Sequence, residues 1–118
     1  MPGRVSSRQE FAEFGRSPWK ASSGPLRVVF VPSEDGIRGA YAISKRVGGA
    51  VVRNKIRRRL RSVLDESAKS IQPGKYLIRC GVETKGLSYD ELRTHLLRAL
   101  QRLESKSPSS YPRRGGSH

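Results

Sequence analysis

The chain has 118 residues, 35% of them hydrophobic, which is enough for one domain with a modest core. Its 24 Lys and Arg against 10 Asp and Glu give a formal net charge of +14, so nucleic acid is the first partner class to consider. The single cysteine, Cys80, excludes an internal disulfide and a cysteine-rich zinc module, and is expected to be a small core residue. No apolar run approaches the roughly 20 residues of a membrane span and no signal peptide opens the chain, so we expect a cytoplasmic protein with no membrane partner.

A short helix is expected near the start of the chain. Ser7 can cap it, Glu10 can reach back three residues later in a capping box, and Gly15 is a stop signal. Phe11 and Phe14 lie three residues apart and therefore share one helical face. They are either core anchors or a functional pair.

Four strands are predicted from β-branched and aromatic content bounded by turn residues. They cover residues 19–22, 26–31, 39–43 and 75–82, the first being a short edge strand. Turn chemistry between residues 32 and 36 predicts that the second and third strands form a hairpin. A Pro-Gly turn at residues 73–74 precedes the last strand.

A final helix begins after Ser88, which is expected to be its cap. Its apolar residues recur at spacings of four, four and three, which predicts one buried stripe that Leu97 widens; the stripe is Leu92, Leu96, Leu100 and Leu103. Residues 105–118 are mostly Ser, Pro, Gly and Arg and are predicted to be disordered. The chain is thus divided into a domain, residues 1–104, and a basic tail, residues 105–118.

The central stretch, residues 44–64, predicts a helix with two different faces. At about 100° per residue, one arc is apolar and is expected to pack on the core; it contains Ile56, Leu60, Val63 and Leu64. The opposite arc is polar and cationic, and contains Asn54, Arg57, Arg58 and Arg61. Between Gly36 and Leu64 there are nine Lys or Arg and no acid, so local ion pairing does not account for this charge.

Such a face is suited to RNA. Arginine offers a planar fork of donors for phosphate and can stack on exposed bases, and Asn54 can meet a base edge or a ribose hydroxyl. Asn54 can alternatively cap the helix. Lys45 and Arg46 add two cations near Gly48-Gly49, where glycine permits close approach of a phosphate to the backbone.

Protein-borne catalysis is not expected. His95 falls within the last helix and His118 is the last residue, so the two histidines are not expected to act together as an acid–base pair. Asp65 and Glu66 are adjacent and therefore point to different sides of a helix. Neither a metal-binding carboxylate cluster nor an acid–base pair can be assembled, and we assign no catalytic or metal-binding residue to the protein.

Residues 44–48 (SKRVG) and 50–61 (AVVRNKIRRRLR) resemble the signature of the protein subunit of bacterial ribonuclease P, including its Arg-Asn-Arg/Lys helix motif. Phe11, the strand at residues 26–31 and the Pro-Gly-Lys turn follow the family's order, so the resemblance covers roughly residues 7–103. It implies an α/β (α+β) two-layer sandwich similar to domain 2 of ribosomal protein S5. The implied element order is α-β-β-β-α-β-α, with a left-handed crossover through the basic helix, against the usual right-handed rule.

The resemblance also implies a function. In that family the catalytic subunit is RNA, which uses Mg²⁺ to remove the 5′ leader of precursor tRNA, and the protein binds both RNAs without a further protein partner. The RNA-binding positions carried over by the motif are Lys45, Arg46, Arg53, Asn54, Arg57, Arg58 and Arg61. A cleft between the first helix and the sheet is expected to hold the leader, with Phe11, Phe14 and Phe30 at its aromatic positions. Base stacking on exposed aromatics contributes about 1 to 3 kcal/mol each and tolerates sequence variation.

Two other functions stay open at this point. A non-enzymatic RNA-binding protein, such as a ribosomal protein or an RNA chaperone, needs the same basic helix on the same small core. A membrane-surface protein would need that helix to expose its apolar face to lipid.

Overall fold

The computed structural model describes residues 3–4, 8–34 and 36–106. Its elements are β1 (Gly3–Arg4), α1 (Arg8–Arg16), β2 (Trp19–Ser23), β3 (Leu26–Pro32), β4 (Ile37–Ile43), a first 3-10 turn (Lys45–Val47), α2 (Ala50–Ser67), β5 (Gly74–Cys80), a second 3-10 turn (Val82–Gly86) and α3 (Tyr89–Lys106). The predicted order of helices and strands is confirmed, with the two-residue β1 added in front. Ser7, the predicted cap of α1, lies outside the described residues.

The strands form one sheet in the order β1-β4-β5-β3-β2. β2 and β3 are joined in an antiparallel hairpin, so the predicted edge strand is confirmed. Gly24 closes this hairpin with a φ of +56°, a left-handed conformation that costs glycine little. A Cβ at Gly24 would lie 2.5 Å from Cε1 of His95, so the packing of α3 against the turn also requires glycine.

The predicted hairpin between β3 and β4 is wrong, because β5 lies between them. β5 is antiparallel to β3, with Val28 opposite Ile78, and parallel to β4, with Ala40 opposite Leu77. Six of the seven residues of Gly74–Cys80 are buried, as expected for a central strand covered on both faces. The turn residues after β3 indicated a change of chain direction, but they carried no information about which strand would become the neighbour.

Because β4 and β5 are parallel neighbours, the chain must cross over between them, and α2 forms this crossover as predicted. α2 and α3 cover one face of the sheet and enclose the main core, which is the predicted two-layer arrangement. All four predicted docking residues of α2 are buried there: Ile56, Leu60, Val63 and Leu64. α1 packs on the other face through a smaller cluster of Phe14, Val29, Ala40 and Leu77.

The capping prediction for α3 is confirmed in detail. The backbone N–H of Glu91 donates to Ser88 Oγ at 3.1 Å, and the Glu91 carboxylate accepts from the N–H of Ser88 at 2.9 Å, forming a capping box. The predicted stripe is buried, with Leu92, Leu96, Leu100 and Leu103 each at most 3% exposed, and Leu97 packs against it. The helix continues to Lys106, two residues beyond the predicted domain boundary, and residues 107–118 lie outside the described residues.

Cys80 is buried in the core at the end of β5, as predicted. Burial raises the pKa of its thiol from the ordinary 9.0 to about 11, and the nearby Thr84 side chain opposes part of that rise. We expect a thiol reagent to label the folded protein very slowly near neutral pH and to label the unfolded protein at once, as measured by mass spectrometry across a denaturant series.

Between pH 9 and 11 the unfolded chain loses the thiol proton before the folded chain does, so the free energy of unfolding should fall as the pH rises through this window. A Cys80→Ala variant should lack this part of the pH dependence, and rapid labelling of the folded protein would contradict the assignment.

Candidate nucleic-acid interface

The polar side of α2 faces away from the sheet. Asn54, Arg58 and Arg61 are exposed and Arg57 is half-buried, so the predicted division of the helix into an apolar and a cationic face is confirmed. Because Ile56 and Leu60 hold the inner face against the core, the cationic side chains have a fixed support. We call Asn54, Arg57, Arg58 and Arg61 the basic face.

Asn54 does not cap the helix. α2 begins at Ala50 with Gly49 as its cap residue, so Asn54 lies in the second turn. Its side-chain carbonyl accepts a hydrogen bond from Nη1 of Arg57. This contact orients both side chains on the same surface, where the amide and the guanidinium can act together on one ligand.

The start of α2 is held by contacts with the preceding turn. Nε of Arg53 donates to the Gly48 carbonyl at 3.1 Å, so this half-buried predicted RNA contact also fixes the loop. A Cβ at Gly48 would lie 2.9 Å from the Val52 side chain, whereas nothing lies within 4 Å of a Cβ at Gly49. Close packing therefore requires glycine at the first position, and the second position is open to solvent.

The first 3-10 turn presents two further predicted contacts. Ser44 Oγ accepts from the backbone N–H of Arg46 at 3.0 Å and caps the turn, while the buried Val47 anchors it. Lys45 and Arg46 are both exposed. The turn and α2 thus place these cations and the basic face on consecutive elements.

Two cations of α2 are tied to neighbouring aromatic residues. Burial raises the pKa of the Tyr41 hydroxyl, and the nearby charge of Arg61 opposes that rise. The guanidinium of Arg59, which was not among the predicted contacts, lies 5.7 Å from the ring centroid of Tyr89. Arg61 therefore lies close to a residue of the sheet while it stays exposed.

The two aromatic residues of α1 have different environments. Phe14 is 2% exposed and packs on the sheet, so it is the anchor that holds α1 in place. Phe11 is 45% exposed and meets Phe14 edge to face, with 6.1 Å between ring centroids. An ion pair between Glu13 and Lys75 of β5 also ties α1 to the sheet. Of the pair, only Phe11 offers a ring surface to a ligand.

The prediction that Phe30 lines the cleft beneath α1 is wrong. Side chains alternate along β3, so Val29 faces α1 and Phe30 faces α2 and α3. Phe30 is 1% exposed and packs on Tyr76, with 4.8 Å between ring centroids. The alternation was visible in the sequence, but the face that α1 would cover was not.

The α1 side of the sheet carries cations that were not among the residues predicted to bind RNA. Arg27 and Arg79 lie on this side with the apolar Val29 and Leu77. The available signal was the period of two along β3, which separates Arg27 and Val29 from the core-facing residues. A polar strand face and an exposed aromatic ring therefore lie together on the side of the sheet that bears α1.

His95 has a structural partner. Its Nδ1 lies 2.9 Å from Oγ of the buried Ser23, and its ring packs against Gly24, so the side chain joins α3 to the β2–β3 hairpin. Within the described residues, no group of three or more His, Cys, Asp or Glu is arranged to hold a metal ion. None of the described helices is both long enough and apolar enough to cross a bilayer.

Comparison with known proteins identifies the family. The family model for ribonuclease P matches residues 2–104. The ribonuclease P protein component of Streptomyces avermitilis is 34% identical over 112 residues, covering 85% of this chain and 90% of that protein. The protein component of Citrifermentans bemidjiense is 32% identical over 104 residues, covering 87% and 90%.

Solved structures agree in fold. The Staphylococcus aureus ribonuclease P protein superposes with a TM-score of 0.73 at 20% identity, over 86% of this chain and 94% of that one. The Thermotoga maritima ribonuclease P protein gives the same TM-score at 21% identity, over 84% and 96%. With the family model spanning nearly all of the described residues, the chain belongs to the ribonuclease P protein family.

Proposed function

We propose that this chain works as the protein subunit of the ribonuclease P holoenzyme by binding two RNAs on two surfaces. The holoenzyme is an endoribonuclease that matures the 5′ end of tRNA, and catalysis is assigned to its RNA subunit. The protein's part is then to bind and position RNA, which agrees with the absence of a catalytic cluster from its sequence.

The catalytic RNA is assigned to the basic face together with Lys45 and Arg46. The observation that carries this assignment is the exposure of Asn54, Arg58 and Arg61 on a helix whose opposite side is fully buried. A helix held in this way presents its cations without having to order them on binding, which lowers the entropic cost of association. Arginine forks on a rigid support suit the phosphates of a structured RNA.

The 5′ leader of precursor tRNA is assigned to the α1 side of the sheet. Phe11 supplies an exposed ring on which a base can stack, and Phe14 holds α1 in position. Stacking tolerates any base, which suits leaders that differ in sequence.

Mg²⁺ is assigned to the catalytic RNA and its substrate. The described carboxylates and histidines of the protein form no cluster that fits the ion. Bound to RNA, Mg²⁺ would neutralise phosphate charge and activate the attacking water. The protein's cations would support the same complex by reducing repulsion between the RNA strands.

Reconstitution tests this function. The purified chain alone should not process precursor tRNA, and adding the catalytic RNA should give leader removal at a Mg²⁺ concentration too low for the RNA alone. A heat-denatured sample of the chain with the same RNA is the control. Cleavage by the protein without RNA, or no effect of the protein on the RNA's activity, would contradict the proposal. Because this chain is the only protein in the mixture, activity would also indicate that no further protein is needed.

A further inference from the structure

Two arginines lie directly opposite each other at one end of the sheet. Arg27 of β3 is in register with Arg79 of β5. The next residues along these strands on the same side are Val29 and Leu77, which contact α1, so both arginines belong to the α1 side. Both are exposed.

This pairing is unfavourable in the free protein. Residues directly opposite in an antiparallel pair have Cβ atoms about 4.5 to 5.5 Å apart, and like charges there repel. Lys75, on the same side of β5, is balanced by Glu13 of α1. Within the described residues, neither Arg27 nor Arg79 has a carboxylate partner. An anion bound between the two guanidinium groups would remove the repulsion.

The surroundings of the pair suit an anion. An open cavity of about 770 Å³ lies at this end of the sheet, where both faces are accessible. Its lining includes both arginines from the α1 side and a third arginine, Arg57 of α2, from the opposite side, and contains no acidic residue. Its floor includes the last residues of β4 and β5, Ile43 and Cys80. The carboxyl ends of parallel strands are where α/β sheets commonly bind their ligands.

We propose that Arg27, Arg79 and Arg57 form a phosphate-binding site that holds a backbone phosphate of the 5′ leader. Guanidinium forks match phosphate oxygens and form charge-assisted hydrogen bonds with them. The inference rests on the proposed function, because the leader is the single strand assigned to this side of the sheet. Arg57 then joins the leader site to the basic face that meets the catalytic RNA.

The test uses the reconstituted holoenzyme carrying Arg27→Gln and Arg79→Gln together. Affinities for precursor tRNA and for mature tRNA without a leader are measured across a salt series. We expect the double variant to bind precursor tRNA about tenfold more weakly, from the loss of charge-assisted hydrogen bonds. The slope of log affinity against log salt should become shallower by about 0.7 for one lost single-strand phosphate contact. Affinities for mature tRNA and for the catalytic RNA should not change.

The matched control carries Lys69→Gln and Arg98→Gln, which remove the same charge from exposed positions near the end of α2 and on α3. This variant should keep the precursor affinity of the natural protein. The free Arg27→Gln/Arg79→Gln protein should unfold at the same or a higher temperature than the natural protein, because a repulsion has been removed; a lower temperature would overturn the repulsion argument.

Three binding results would also overturn the inference. The first is an unchanged affinity of the double variant for precursor tRNA, and the second is an equal loss of that affinity in the Lys69→Gln/Arg98→Gln control. The third is an equal loss of affinity of the double variant for mature tRNA or for the catalytic RNA, which would place a phosphate of those molecules in the site. If the natural protein itself shows no preference for precursor over mature tRNA, the proposed leader binding fails first, whatever the arginine variants do.

Discussion

Replacing Leu60 with Ala is expected to lower the free energy of unfolding by about 2 to 5 kcal/mol, the usual range for a large apolar side chain removed from a core. Leu60 is fully buried and lies on the inner face of α2 within the main core. Since a domain of this size has only about 5 to 15 kcal/mol of total stability, the variant should lose a large fraction of it. Chemical denaturation followed by circular dichroism gives the measurement.

The same helix provides the matched control. Val51 is 82% exposed, so Val51→Ala should change the stability by no more than about 0.5 kcal/mol. In buffer without denaturant, and at a temperature where the Leu60→Ala variant is still folded, its RNA affinity should be near that of the natural protein. A loss of stability below about 1 kcal/mol for Leu60→Ala would contradict the packing of α2 on the sheet, because the expected range for this change begins at about 2 kcal/mol.

Replacing Arg58 and Arg61 with Ala is expected to weaken binding of the catalytic RNA and to reduce the salt slope by about one for each lost phosphate contact. Both side chains are exposed on the basic face. The effect should be nearly independent of RNA sequence, since phosphate contacts position a complex without reading bases. Filter binding or fluorescence anisotropy across a salt series measures both quantities.

The Lys69→Gln/Arg98→Gln protein serves again as the charge-matched control, and its slope should stay close to that of the natural chain. Because the charge of Arg61 lies near the partly buried Tyr41, the stability of the Arg58/Arg61 variant is measured in parallel. An unchanged slope in a folded variant would mean that these arginines do not meet phosphate.

Local patterns were enough to predict much of the helical structure. The positions of Leu60 in α2 and Leu96 in α3 follow from a period of 3.6, and the capping box at Ser88 depends only on residues three apart. The separation of Arg58 and Arg61 from the buried face follows from the same period. These features could be predicted because each one depends on residues within a few turns of the same helix.

Long-range pairing decided the rest. Nothing within residues 26–43 indicates that β5, more than 30 positions later, will separate β3 from β4, so the predicted hairpin was wrong. The side of the sheet that α1 covers is fixed by the cluster that Phe14 forms with residues of three different strands. Val29 belongs to this cluster and Phe30 does not, so Val29 lies on the side that α1 covers.

The basic face could therefore be predicted from the sequence alone, whereas the residues that meet on the α1 side of the sheet could not. Arg27 and Arg79 are 52 residues apart in the chain and become neighbours only through the register of β3 with β5. A single strand reveals which of its residues share a side, because its side chains alternate. Only the assembled sheet determines which strand lies beside it and which helix covers that side, because these depend on contacts between distant parts of the chain.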